Sequence, residues 1–120
     1  MILLVTKDLF FVPTLRAAAD KCGVELVTAL SFDSARVQGL PPEGLTACVL
    51  DLSGIPVAGL AEVVSELRGR FPQARLVAFG PHVQEQRLHA AREAGCQPVL
   101  TRGQLSSHID RLMADWTLVP

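Results

Sequence analysis

Short apolar runs alternating with amphipathic stretches set the pattern of this 120-residue chain. Residues 2–5, ILLV, form a continuous apolar run stopped by Thr6, Lys7 and Asp8, as expected of a strand buried on both faces. In VPTLRAAADKCG, Val12, Leu15, Ala18, Ala19 and Cys22 fall on one helical stripe, with Pro13 in the first turn and Gly23 at the C-terminal cap. Residues 24–30, VELVTAL, predict a second strand, and SFDSARVQG a short helix capped by Ser31 or Asp33. After the loop LPPEG, LTACVLDL predicts a third strand. From Val57 to Phe71, Leu60, Val63, Val64 and Leu67 recur at helical spacing, with Glu62, Glu66, Arg68 and Arg70 on the opposite side. ARLVAFG, residues 74–80, gives strand four and VQEQRLHAAREAG a helix closed by Gly95. PVLT gives strand five, and QLSSHIDRLMADW a last helix with Leu105, Ile109, Leu112 and Trp116 facing inward.

Strict alternation of buried strands and amphipathic helices calls for a parallel sheet covered on both faces, since each crossover is right-handed and each helix must bury its stripe. Five strands predict an α/β flavodoxin-like doubly wound sheet of order 2-1-3-4-5, with residues 1–120 forming one domain. In that order the carboxyl ends of strands one and three flank the ligand crevice. Its walls are then Thr6 to Asp8, Asp51 to Gly54, Gly80 to His82 and Thr101 to Gly103.

Composition narrows the function classes. With 49% hydrophobic and 19% charged residues and net charge −1, the chain has neither a disordered composition nor a basic nucleic-acid footprint. No apolar stretch is long enough to span a membrane and the N-terminus lacks a signal-peptide pattern, which points to the cytoplasm. Cys22, Cys48 and Cys96 are odd in number, far apart and without a CxxC, so they read as small core residues rather than a disulfide or zinc framework. GxSxG, GxGxxG and P-loop motifs are absent, and nothing indicates an enzyme or a bound cofactor. His82, His89 and His108 show no metal-ligand spacing. His89 and His108 read as solvated helix residues, and His82 as a turn residue at the crevice mouth.

With the strands placed, Asp51 at the end of strand three and AREAGCQPVLTRG leading into strand five give the chain a resemblance to the receiver domain of bacterial two-component response regulators. The resemblance implies that Asp51 stands at the phosphoacceptor position. The family's other positions differ here. Thr6 and Lys7 stand where an acidic pair would help hold Mg²⁺, leaving Asp8 alone; Gly80 replaces a hydroxyl residue; Arg102-Gly103 replaces Lys-Pro; and Pro56 falls one step late. A Lys7 ammonium about 5 Å from a divalent cation would repel it by several kcal/mol at an effective dielectric near 20, on the order of what excludes the metal. The chain therefore resembles the divergent pseudo-receivers, which keep the fold as a protein-binding or regulatory module without the phosphoryl chemistry. Asp51 is then either held in a standing ion pair with Lys7 or Arg102, or caps the structure that follows it.

Two further readings stay open. Lys7, Arg102 and His82 would form an anion site for a phosphate-bearing nucleotide or other small anion. In the tandem Leu9-Phe10-Phe11, either Leu9 and Phe10 staple the start of the first helix from inside or one of the three stays exposed as a contact surface, and Trp116 with the tail TLVP poses the same choice. A protein partner is expected, with a second copy of the chain as one candidate, and neither nucleic acid nor membrane.

Overall fold

Val, Leu and Ile dominate the three- to six-residue runs that become strands, and the parity of their side chains decides where each helix packs. In the computed structural model, which describes residues 1–118, β1 (Ile2–Val5), β2 (Leu26–Ala29), β3 (Ala47–Asp51), β4 (Arg75–Gly80) and β5 (Val99–Thr101) form one sheet. Every pairing is parallel and the order is β2-β1-β3-β4-β5, the doubly wound arrangement expected from the alternation. The helices among the described residues are α1 (Val12–Lys21), α2 (Ala35–Gln38), α3 (Val57–Arg70), α4 (Glu85–Glu93), α5 (Arg102–Ser107) and α6 (Ile109–Thr117), with a 3-10 turn at Leu52–Gly54.

Alternate strand residues feed two cores. Leu3, Val5, Cys48, Leu50, Leu76 and Ala78 face Val37 of α2, Leu60 and Leu67 of α3, and Leu88 of α4. Ile2, Leu4, Ala47, Val49, Val77 and Phe79 face Leu15 of α1, Leu105 of α5, and Met113 and Trp116 of α6. Burial on both faces is why these strands read as unbroken apolar runs. Gly23 and Gly95 sit at positive φ just past α1 and α4, where a left-handed residue ends a helix.

Several boundaries differ from expectation. The last helix breaks at His108, whose backbone (φ −122°, ψ 22°) is not helical, so His108 joins two helices rather than lying on one. The break rotates the inner face of the second piece, so that Met113 and Trp116 are fully buried while Ile109 and Leu112 are only half-buried. Neither Ser31 nor Asp33 caps α2. The Ser31 hydroxyl donates to Asp33 Oδ1 at 2.6 Å, and Ser34 occupies the cap position without a side-chain bond. Trp116 is buried and Leu118 exposed; Val119 and Pro120, the end of the TLVP tail, lie outside the described residues.

Candidate functional site

Strand ends bring the candidate residues together at the carboxyl edge of the sheet. Asp51 is the last residue of β3 and is buried among apolar neighbours, where an ionised carboxylate persists only if its oxygens are well bonded. The Thr6 hydroxyl, just past the end of β1, donates to Asp51 Oδ2 at 2.7 Å. The other oxygen, Oδ1, accepts from the Ser53 backbone N–H at 3.1 Å and the Ser53 hydroxyl at 2.7 Å, which makes Asp51 the cap of the 3-10 turn. Arg102, the first residue of α5, completes the set with Nη2 at 3.6 Å from Asp51 Oδ2 and 3.3 Å from Ser53 Oγ.

Arg102 also donates through Nη1 to Asp8 Oδ2 at 2.9 Å, so one guanidinium bridges both acids of the crevice. Its Cζ lies over the Phe11 ring, 5.2 Å from the centroid, and Phe11 packs in turn on Phe79 at 5.6 Å between centroids. Such stacking adds about 0.5–1 kcal/mol to a partly exposed guanidinium. Asp8 is pinned at both ends. Its N–H donates to Thr6 Oγ1 at 3.0 Å, and its Oδ1 accepts from the Phe10 N–H at 3.0 Å. Arg87 of α4 closes the turn by donating to the carbonyls of Leu52 and Ser53 at 3.1 and 2.7 Å.

Of the two cations offered to Asp51 by the sequence, Arg102 takes the place and Lys7 does not. Lys7 is exposed and forms no ion pair among the described residues. The physical reason is direction: just past β1 the Thr6 side chain turns toward Asp51, whereas Lys7, at a bend, lies toward Gly54 and the α3 face. The countercharge argued for position 7 is therefore supplied from position 102. A Mg²⁺ ion does not fit this arrangement, because it demands oxygen ligands at about 2.1 Å in near-ideal octahedral geometry. The two carboxylate oxygens that would serve it, Asp8 Oδ2 and Asp51 Oδ2, are both turned to the guanidinium. No cluster of three His, Cys, Asp or Glu residues suited to a metal occurs among the described residues.

Gly80 is buried, and a Cβ there would make ordinary van der Waals contact with Leu52 and Leu88, so the wall beside it is apolar. The anion set is not brought to one place. Lys7 lines a cavity between the strand ends and α3, His82 lines another with Glu85, His89 and Arg92, and the Arg102 donors turn to Asp8, Asp51 and Ser53. Leu9 and Phe10 do not staple α1; both are exposed, and Phe11 alone turns inward. Ser53 and Arg87 were not singled out in the sequence, where a Ser two residues after an Asp offered a turn signal and Arg87 offered none.

No family model matches the sequence, and no curated protein does. Solved structures do match. The chain is similar to a CheY-like protein (tadZ) from Pseudomonas aeruginosa at 20% identity, over 96% of this chain and 97% of that one, with TM-score 0.75. It is similar to the beryllofluoride-activated NtrC4 receiver domain dimer at 15% identity, over 96% and 97% of the two chains, with TM-score 0.70. A Burkholderia pseudomallei protein described as pilus assembly-related matches at 20% identity, over 96% and 89%, with TM-score 0.69. The fold of this chain is that of response-regulator receiver domains.

Proposed function

We propose that this receiver-folded chain, acting over residues 1–120 as one cytoplasmic domain, is a non-catalytic pseudo-receiver that works through protein contacts in signalling or scaffolding. The observation that carries this reading is the single guanidinium of Arg102 set between Asp8 and Asp51. Phosphoryl transfer to a carboxylate needs a free oxygen nucleophile and a cation that neutralises the incoming phosphate, and positioning with charge neutralisation is most of such catalysis. Here both Asp51 oxygens are engaged by Thr6, Ser53 and Arg102, and the cation is bolted to the acids. A standing charge balance replaces a switchable one. The name of the Burkholderia structure, pilus assembly-related, supports a scaffold setting.

Incubation with Mg²⁺ and beryllofluoride, followed by two-dimensional amide NMR, tests it. The expected result is an unchanged spectrum, and acetyl phosphate with Mg²⁺ should leave the protein mass unaltered. Saturable shifts around Asp51 that vanish in Asp51→Asn would overturn the reading. The small-anion alternative is disfavoured by the separation of Lys7 from His82 into different cavities. It predicts thermal stabilisation by a nucleotide, lost in Lys7→Ala, through binding to the native state.

A further inference from the structure

Two features beside β1 and β2 border the Arg102 bridge, and the second shares Thr6 and Asp51 with it. One is a knob: Phe10 is 93% exposed and Leu9 67%. The knob is held in place. The Phe10 N–H donates to Asp8 Oδ1 at 3.0 Å, the Phe11 N–H to the Asp8 carbonyl at 3.4 Å, and Asp8 is anchored by Arg102. Leu9 faces Leu30, itself 62% exposed, across a cleft of about 290 Å³, so the apolar surface continues from one loop to the next.

The other feature is a hole. A cavity of about 330 Å³ opens between the ends of β1, β2 and β3 and the side of α3, with Leu30 on its lip and Phe32, Ile55, Pro56 and Val63 on its walls. An apolar cavity of roughly 150 Å³ is enough to hold benzene, so a phenyl side chain has room here. Glu62 and Glu66 line the same cavity one turn apart on α3, a like-charge pair that repels itself in the isolated chain. Lys7 borders the cavity and is without an ion-pair partner among the described residues.

We infer that this edge is where a second copy of the chain docks, each copy inserting Phe10 into the cavity of the other and setting Lys7 against the other's Glu62 and Glu66. The inference rests on the protein-contact reading above and names its partner and surface. Complementarity favours a second copy over an unrelated protein. One face carries both members of two matched pairs, an aromatic knob with an aromatic-sized hole and a cation with two acids. A two-fold axis satisfies each pair twice, as an isologous interface requires. At a net charge of −1 per chain, long-range repulsion between copies is slight.

Sedimentation equilibrium from low to several hundred micromolar protein is the test, with thermal melts to show that each variant folds. The wild type should dimerise in a concentration-dependent way. Phe10→Ala should raise the dissociation constant about tenfold or more, as loss of a central aromatic anchor does, with an unchanged monomer melt because Phe10 makes little contact within its own chain. Lys7→Glu and the double variant Glu62→Lys/Glu66→Lys should each be monomeric. Mixed together they should form a heterodimer, since each variant then meets the opposite charge across both halves of the interface; no contact within one chain predicts that rescue. A wild type that stays monomeric, a dimer indifferent to Phe10→Ala, or a mixture without rescue would each overturn self-docking. A monomer still inert to beryllofluoride leaves the non-phosphorylated contact module standing, whereas a beryllofluoride response defeats that module whatever the oligomeric state.

Discussion

A carboxylate has about four lone-pair positions, and Asp51 fills three of them with hydrogen bonds from Thr6 and, twice, from Ser53, while Arg102 adds an ion pair at 3.6 Å. Arg102→Ala leaves two acids, one of them buried, without their shared cation. A loss of about 1–3 kcal/mol in urea unfolding is expected, in the range for a removed charged hydrogen bond. Arg102→Lys should recover only part of it, because a single ammonium cannot span Asp8 and Asp51 as the planar fork does. Elsewhere, burial pushes the Cys48 thiol from 9.0 up to about 12, with nearby Cys96 adding to the rise. Burial likewise lifts Cys96 to about 11, against a smaller lowering by Arg68. Between pH 9 and 12 the unfolded chain releases these protons and the folded chain keeps them, so stability present below pH 9 is lost as pH climbs through this window. Urea midpoints measured from neutral to alkaline pH should fall for the wild type and fall less steeply for Cys48→Ala.

At the scale of elements, the aim of Arg102 depends on how α5 begins. Thr101 accepts from the Gln104 N–H at 3.1 Å while Gln104 Oε1 accepts from the Thr101 N–H at 2.9 Å, a reciprocal capping box. Arg102 follows directly and inherits its direction from that cap. Thr101→Ala should therefore cost about 1 kcal/mol as a lost cap. It should also increase amide exchange at Phe10 and Ser53, which contact Arg102 directly or through Asp8. A Ser53→Ala variant, which removes one Asp51 bond and the long Arg102 Nη2 contact but leaves the Thr101 cap and the Arg102–Asp8 bond in place, should leave exchange at Phe10 unchanged.

At the scale of the whole molecule, the two cores share the middle strands β1, β3 and β4, so neither helical layer has a sheet of its own. Leu4→Ala on one face and Leu50→Ala on the other should each lose about 2–5 kcal/mol. Unfolding followed by Trp116 fluorescence, which reports only the α1 and α6 side, should coincide with far-UV circular dichroism in both variants. Two separated transitions would show that the layers fold apart and that the sheet does not couple them.

The chain order of ILLV, LVTA, ACVLD, RLVAF and VLT between amphipathic stretches was sufficient to determine the parallel sheet, its order and the edge where Thr6, Asp8, Asp51 and Arg102 meet. Hydrophobic period and short connections allow few other topologies, so local pattern carried that information. Which cation reaches Asp51 was decided only in three dimensions. Lys7 and Arg102 are equally cationic in the sequence, but the bend after β1 leaves one toward α3 while the capping box of α5 and the Phe11 ring hold the other across the crevice. The break at His108 and the outward turn of Phe10 are likewise absent from the hydrophobic period: both pieces of the last helix carry apolar residues at helical spacing, and the turn presenting Phe10 is fixed by Asp8, which Arg102 holds from far along the chain.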